Sequence, residues 1–189
     1  MAGAASHADR ADAELVEQAL GGRQAGYAGL MARHREAVFR LARHHLGHEG
    51  DALDVTQECF ISAFMALRRY DPARPFRSWL LRIALNKCHD WARRRRVRQF
   101  FTFARPLDSA LDVADAGPDP ESALASVGEV ARIRAAIAAL PATLKDPLIL
   151  CAIEGLSQDE AAVLLGTSRK AVETRIYRAR QKLSDVLKG

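Results

Sequence analysis

The sequence contains little that suits a secreted or membrane-bound protein. Its three cysteines, Cys59, Cys88 and Cys151, lie far apart and form no C-x-x-C pair. Such a set predicts buried thiols in a reducing compartment rather than disulfides. No apolar run approaches the ~20 residues of a membrane-spanning helix, and residues 1–11 contain no hydrophobic signal core. We therefore expect a cytoplasmic chain with a disordered N-terminus over residues 1–11.

Signatures of common enzyme classes are also missing. The glycines within residues 21–29 lack the lysine and the preceding strand of a phosphate-binding loop. The histidines His44, His45 and His48 could indicate a metal site, but Gly47 interrupts the helix that would align them, which favours ordinary surface histidines. We expect no catalysis, no cofactor and no bound metal.

The chain has a cationic bias that is unevenly distributed. It contains 28 Lys and Arg against 23 Asp and Glu, a formal net charge of +5, which favours a polyanionic partner. Six arginines and no acid occur from Arg93 to Arg105, whereas six acids and no Lys or Arg occur from Pro106 to Glu129. This segregation predicts distinct partners for distinct segments.

The apolar residues recur with helical periodicity and strand-like alternation is absent, so we predict an all-α fold. A hydrophobic content of 49% is ample for buried cores. The predicted helices run from about Asp12 to Leu20, Gln24 to Leu46, Asp51 to Tyr70, Ser78 to Arg98, Ser126 to Ala139 and Ala142 to Glu154, followed by a final pair. Pro147 is compatible with a helix if it lies in the first turn.

The stretch "ARPLDSALDVADAGPDPESA" separates two helical regions. It has three prolines, many small residues and several acids, so it cannot bury enough apolar surface to fold alone. We predict two small helical domains joined by a flexible acidic linker, with bounds of 12–99 for the first domain, 100–123 for the linker and 124–189 for the second domain.

The segment "LSQDEAAVLLGTSRKAVETRIYRARQKL" predicts a helix-turn-helix. Ser157 and Glu160 form an S-x-x-E capping box at the first helix, and Gly166 can end that helix in the left-handed conformation. In such motifs the start of the second helix enters the major groove of DNA. Base contacts are predicted from Arg169, Lys170, Glu173 and Thr174, and phosphate contacts from Arg175, Arg178 and Arg180.

A second candidate surface lies in "FRSWLLRIALNKCHDWARRRRVR". In helical projection Trp79 and Trp91 share a broad apolar side, which indicates core residues. The opposite side is a polar stripe that leads into an arginine cluster and consists of Arg82, Asn86, His89 and Arg93. Solvated helices normally mix in acids, and only Asp90 occurs here, so nucleic acid is the expected partner.

These two segments and "DALDVTQECFISAF", residues 51–64, occur in an order that resembles bacterial RNA polymerase sigma factors of the extracytoplasmic-function (ECF) class. The resemblance covers nearly the whole chain from about Asp12. It implies that the first domain is sigma region 2 and the last is region 4. It also implies a promoter-recognition subunit without catalysis, which binds polymerase core through the β′ clamp helices and the β flap and is restrained by an anti-sigma factor.

The resemblance implies three sets of contact residues. The residues that would bind the β′ clamp helices are Asp51, Asp54, Gln57, Glu58 and Phe60, although Phe60 suits the core better. Those that would capture the opened minus-10 strand, partly through a flipped base, are Arg74, Phe76, Arg77, Arg82, Asn86, Lys87 and Arg93. Those that would read the minus-35 duplex are Ser168, Arg169, Lys170, Glu173, Thr174, Arg175 and Arg178.

The chain departs from the family at the start of the recognition helix, where Lys170-Ala171-Val172 replaces Gly-Thr-Val. The resemblance therefore does not predict which minus-35 sequence this chain reads. The acidic linker fits either a nucleic-acid channel of polymerase or ordinary solvation. The phenylalanines that could dock on the first domain, on polymerase or on an anti-sigma factor are Phe100, Phe101 and Phe103. A stand-alone helix-turn-helix regulator is the alternative, and it would bind duplex DNA specifically without affinity for polymerase core.

Overall fold

The computed structural model describes residues 7–103 and 121–188, and every element in these ranges is helical. The helices are α1 (His7–Leu20), α2 (Gln24–Leu46), α3 (Glu49–Ala66), α4 (Phe76–Phe103), α5 (Glu121–Ala139), α6 (Ala142–Leu148), α7 (Gln158–Leu165) and α8 (Arg169–Lys188). A 3-10 turn, Leu67–Arg69, follows α3, and a π-helical segment, Ile149–Ile153, follows α6. The predicted all-α class is confirmed. None of the described helices has the length and apolarity that a membrane crossing requires.

Helices α1–α4 form the N-terminal bundle. Its centre is α2, from which Leu30, Val38 and Leu41 contribute side chains with no solvent exposure. The backbones of α1 and α2 approach closely at Gly26, where a Cβ atom would lie 2.5 Å from the Ala19 nitrogen. A larger residue at position 26 would therefore push the two helices apart.

The cysteines are unpaired thiols, as the sequence predicts. Cys59 and Cys88 are buried in the N-terminal bundle, while Cys151 is half-buried. Burial raises the pKa of the Cys59 thiol to about 12 and also raises that of Cys88. The two core thiols are therefore protonated and inert at neutral pH.

Helices α5–α8 form the C-terminal bundle, and its last two helices make the predicted helix-turn-helix. The Ser157 hydroxyl accepts from the Glu160 backbone and the Glu160 carboxylate accepts from the Ser157 backbone, which completes the capping box. Gly166 ends α7 with a φ of 62°, in the left-handed region that favours glycine. In α8, Val172 and Ile176 are buried against the bundle.

Several predicted helix ends are wrong, and the condition set for Pro147 is not met. Helix α1 begins at His7, within the segment predicted to be disordered, and α5 begins at Glu121 rather than near Ser126. The prediction ended the fourth helix at Arg98, but α4 continues to Phe103, since no glycine or proline intervenes between Pro75 and Pro106. The predicted linker start at residue 100 therefore lies within a helix, although the side chains of its phenylalanines fall outside the described residues. Pro147 lies in the second turn of α6 rather than the first, and a π-helical segment begins two residues after it.

The two bundles contact each other along one side. Helix α5 and the π-helical segment pack on α2, and α7 packs on α4. We call this the closed arrangement. It brings the polar side of α4 next to the C-terminal bundle, so the contacts between the bundles bear directly on the candidate site.

Candidate nucleic-acid and protein interfaces

The start of α8 carries an exposed cationic surface. The Ser168 hydroxyl accepts from the backbone of Ala171 at 3.2 Å and so caps the helix. Arg169 and Lys170 follow with side chains that are 68% and 81% exposed. Their contacts are local and weak in water: Arg169 lies 3.4 Å from Asp159 and Lys170 lies 3.0 Å from Glu173. Both cations can therefore leave these partners for DNA.

The rest of the predicted minus-35 set continues along the same helix. Arg178 is exposed, whereas Thr174 is half-buried and donates its hydroxyl to the Lys170 carbonyl at 2.9 Å. Arg175 is half-buried and lines a cleft of about 510 Å³ between the bundles. The structure thus brings this set together on one helix, with Arg175 at its edge.

The polar stripe of α4 forms the opposite wall of that cleft. Arg82 and Asn86 are exposed, and His89 is half-buried between them and the C-terminal bundle. Arg82 reaches the Val163 carbonyl at 3.5 Å, while Arg93 lies beyond the cleft and pairs with Asp90 at 2.9 Å. In the closed arrangement Arg82, Asn86 and His89 thus face the C-terminal bundle across the cleft, whereas Arg93 does not line it.

Arg77 is engaged by a residue that the sequence analysis missed. The Glu154 side chain has no solvent exposure and receives Arg40 through two hydrogen bonds of 2.9 and 3.0 Å. Arg77 donates to both the side chain and the backbone carbonyl of Glu154 at 2.8 Å. Two arginines of the N-terminal bundle therefore converge on one buried carboxylate of the C-terminal bundle.

Phe76 and Phe60 are corrections to the predicted contact sets. The Phe76 side chain is 1% exposed, and its ring lies 5.3 to 5.5 Å from those of His34, Tyr70 and Trp79. Phe60 is 3% exposed. Both rings belong to the hydrophobic core because the helical positions that they occupy face the centre of the N-terminal bundle, so neither is available to a base or to a protein partner.

The predicted protein-binding residues of α3 divide into two groups. Asp54 and Gln57 are exposed, and the apolar side chains of Ile61 and Met65, 60% and 84% exposed, extend the same helix. Large exposed apolar side chains next to acids indicate a binding surface. The sequence analysis missed these two residues, although their helical spacing from Gln57 was a usable signal.

Glu58 and Asp51 lie on the side of α3 that faces α4. Glu58 is 3.2 Å from Arg94 and 3.8 Å from Lys87, while Asp51 is 3.9 Å from Arg95. Lys87 was predicted to contact DNA, but the structure directs it toward Glu58 and away from the polar stripe. Arg74, in the loop before α4, is exposed and 3.4 Å from Asp71.

Three titratable side chains meet where α2, α4 and α6 converge. His45 lies 3.0 Å and His89 also 3.0 Å from the Asp146 carboxylate. The hydrogen bond to Asp146 raises the pKa of His89, whereas burial lowers the pKa of His45. Burial acts to raise the pKa of Asp146, but the two histidine hydrogen bonds outweigh it and the net pKa is lowered. No local sequence pattern around Asp146 predicts this cluster.

Comparison with known proteins matches both bundles to one family. Residues 30–98 match Sigma-70 region 2, and residues 131–183 match Sigma-70 region 4. The chain is 46% identical over 180 residues to the RNA polymerase sigma factor CnrH of Cupriavidus metallidurans, with 94% of each chain covered. It is 38% identical over 159 residues to the ECF RNA polymerase sigma factor SigE of Mycolicibacterium smegmatis, with 84% of this chain and 60% of SigE covered.

A solved structure shows the same architecture. The structure of CnrH in complex with the cytosolic domain of CnrY aligns with a TM-score of 0.69 at 38% identity, covering 96% of this chain and 97% of CnrH. The similarity therefore extends over both bundles rather than over the helix-turn-helix alone.

Proposed function

The chain belongs to the Sigma-70 family of bacterial RNA polymerase sigma factors, in its extracytoplasmic-function class, and on this premise we propose how its two bundles divide the work. The protein directs RNA polymerase to promoters. The stripe of α4 contacts the opened minus-10 strand, the start of α8 reads the minus-35 duplex, and α3 docks on polymerase core. One observation carries this division: two dissimilar cationic helices belong to separate bundles of one chain.

At the minus-10 element, the contacting residues are those of the predicted set that remain on the surface. Arg82, Asn86 and Arg93 lie along α4, and Arg74 lies in the loop before it. An unpaired strand needs cations for its backbone and hydrogen-bonding groups for its bases. Arg77 joins them when its contact with Glu154 is broken. Lys87 is a weaker candidate for contact with the minus-10 strand, because its ammonium group already pairs with Glu58.

At the minus-35 element, Arg169 and Lys170 contact base edges and Arg178 contacts phosphate. Ser168 caps the helix start, where backbone N–H groups also point toward a phosphate. Glu173 and Thr174 complete the reading face, since a glutamate can accept from a cytosine amino group. Where the family usually has Gly-Thr-Val, this chain has Lys170-Ala171-Val172, which adds a cation at the start of α8. This difference supports a preference for a different minus-35 sequence.

Replacing Arg169 or Lys170 by alanine should weaken minus-35 recognition by about 1–3 kcal/mol at a single base position. Affinity for polymerase core should stay unchanged, because neither residue lies on α3. The measurement is promoter-directed transcription over a set of minus-35 point variants. Lys182→Ala, which removes an exposed cation farther along α8, is the matched control and should lower activity uniformly or not at all. Equal loss at every promoter variant in the Arg169 and Lys170 proteins would contradict base reading.

Polymerase core docks on the exposed side of α3. Asp54 and Gln57 supply the polar contacts, and Ile61 and Met65 supply the apolar ones. Asp51 and Glu58 contribute less, because cations of α4 already face them. Interfaces of this kind gain most from apolar side chains near their centre and polar groups at the rim.

The double change Asp54→Ala and Gln57→Ala should weaken binding to polymerase core while leaving the fold intact, since both side chains are exposed. Only a minority of interface side chains cost more than ~1 kcal/mol when truncated, so we expect the two changes together to cost about 1.4 kcal/mol, a loss of about tenfold in affinity. Binding of labelled chain to purified core enzyme measures this. The matched control is Glu14→Ala with Glu17→Ala, two exposed acids of α1. If the control variant lost as much affinity for polymerase core, the loss would reflect the change in net charge rather than a contact made by α3.

A protein partner restrains the chain in the way that CnrY binds CnrH. The match to CnrH in complex with the cytosolic domain of CnrY covers both bundles, which supports an anti-sigma factor for this chain as well. Because RNA polymerase and promoter DNA are cytoplasmic in bacteria, we expect the chain to act in the cytoplasm. A stand-alone regulator is not favoured, because the region 2 match has no place in such a protein.

A further inference from the structure

The junction between the bundles contains a set of side chains with metal-ligand chemistry. His45 of α2, His89 of α4 and Asp146 of α6 each present one nitrogen or carboxylate oxygen, and these atoms all lie within 4.8 Å of one another. Of the three histidines near the end of α2, His45 is the one that enters this set. Its other members come from distant parts of the chain, so no sequence motif marks it.

We propose that His45, His89 and Asp146 bind one zinc ion, which joins the N-terminal bundle to the C-terminal bundle. Two imidazole nitrogens and a carboxylate oxygen are ligands that Zn²⁺ prefers, and a water completes a tetrahedral set of this kind. Imidazole ligands favour Zn²⁺ over Mg²⁺ or Ca²⁺, which take oxygen ligands. The ligand set of the cluster therefore favours Zn²⁺ over Mg²⁺ and Ca²⁺.

The geometry requires only a small adjustment. Tetrahedral bonds of about 2.0–2.1 Å place ligand atoms about 3.3 Å apart, and both histidine nitrogens already lie 3.0 Å from Asp146 oxygens. The His89 side chain is 40% exposed and can swing to close the remaining gap. Asp146 and His89 also line the cleft between the bundles, which gives the ion and its water a route of entry.

The surroundings set a limit on the affinity. With its Nε2 atom on the ion, His45 must carry its proton on Nδ1, and that buried atom has no hydrogen-bond partner within residues 7–103 and 121–188. The nearest cation, Lys145, donates to the backbone carbonyls of His45 and Ala138 instead of to the cluster. We therefore expect an affinity below that of structural zinc sites whose ligands all have outer hydrogen-bond partners.

Zinc bound here would act on the arrangement of the chain. Two ligands come from the N-terminal bundle and one from the C-terminal bundle, so the complete site exists only when the bundles are closed. An ion that binds one of two states shifts the equilibrium toward it. Zinc should thus favour the closed arrangement, in which Arg77 is held by Glu154.

The test is zinc binding to the full-length, metal-stripped chain, measured by equilibrium dialysis with elemental analysis and by the thermal unfolding midpoint with and without zinc. The wild-type chain should bind one equivalent of Zn²⁺, show a raised midpoint and bind no Mg²⁺. His89→Ala and Asp146→Asn should each lower the zinc affinity by at least ~10-fold, because even the loss of an outer-shell partner costs that much, and the midpoint shift at the same zinc concentration should become correspondingly smaller.

His48→Ala is the matched control, since it removes a histidine that is 72% exposed and outside the cluster, and it should bind zinc like the wild type. Wild-type protein that binds no zinc, or that binds it equally well after His89→Ala, would overturn the proposal and leave the cluster as a hydrogen-bonded junction only. Far-ultraviolet circular dichroism of each variant keeps loss of the ion distinct from loss of fold.

Discussion

Glu154→Gln should shift the chain from the closed arrangement toward separated bundles by roughly a hundredfold. Removing one partner of a buried ion pair costs about 3–5 kcal/mol, because the other charges are left without compensation. Arg40 and Arg77 have side chains that are 37% and 36% exposed and can turn partly toward water, so the lower limit of about 3 kcal/mol applies, and each 1.4 kcal/mol is a factor of about ten. No other described contact between the bundles concentrates as much charge on one buried group.

The opening has a functional consequence. Arg77 is one of the residues proposed to contact the minus-10 strand, and in the closed arrangement its guanidinium donates to Glu154 instead. Small-angle X-ray scattering should report an increased radius of gyration for Glu154→Gln, and the free chain should bind single-stranded minus-10 DNA more tightly than the wild type. Glu36→Gln is the matched control, because Glu36 also approaches Arg40, at 3.8 Å, but is 77% exposed. An unchanged radius in the Glu154 variant would show that the ion pairs of Glu154 do not hold the bundles together.

Phe76→Ala should lower the free energy of unfolding by about 3–5 kcal/mol, the usual cost of removing a buried phenylalanine ring. The ring is 1% exposed and contacts the aromatic cluster of His34, Tyr70 and Trp79, so its loss leaves a cavity between α2 and α4. Urea unfolding of the full chain measures the change.

The position of Phe76 also separates a core role from a role in DNA binding. Arg82→Ala, two turns along the same helix and on its exposed side, should reduce minus-10 recognition with little change in stability. Met65→Ala, at a side chain that is 84% exposed, controls for removal of an apolar residue and should leave unfolding within about 0.5 kcal/mol of the wild type. If Phe76→Ala were as stable as the wild type and had lost only minus-10 recognition, Phe76 would contact DNA rather than belong to the core.

Much of the fold could be predicted because its signals are local. The capping box at Ser157 and Glu160 and the left-handed Gly166 lie within ten residues and define the helix-turn-helix by themselves. Helical spacing likewise separated the buried side of α4 from its polar side, where Arg82, Asn86 and Arg93 are exposed. The same spacing could have assigned Phe76 to the core, since it stands four residues before the buried Leu80, but the resemblance to a base-capturing loop suggested otherwise.

The junction between the bundles could not be predicted, for a physical reason. Glu154 meets Arg77 across 77 residues of chain, and Asp146 meets His45 across 101. No periodicity links residues so far apart, and each is an ordinary charged or polar residue of its own helix. The predicted flexible acidic linker further suggested independent domains, whereas the two bundles contact each other in the structure.

We propose that this chain confers promoter specificity on RNA polymerase by using both bundles at once. The most direct measurement is transcription in vitro with purified core polymerase over a library of randomised promoters, with the intact chain and with the chain cleaved within residues 104–120. We expect initiation from promoters that share two separated sequence elements, and loss of that activity after cleavage. Failure of the intact chain to associate with core enzyme, or undiminished initiation after cleavage, would contradict it.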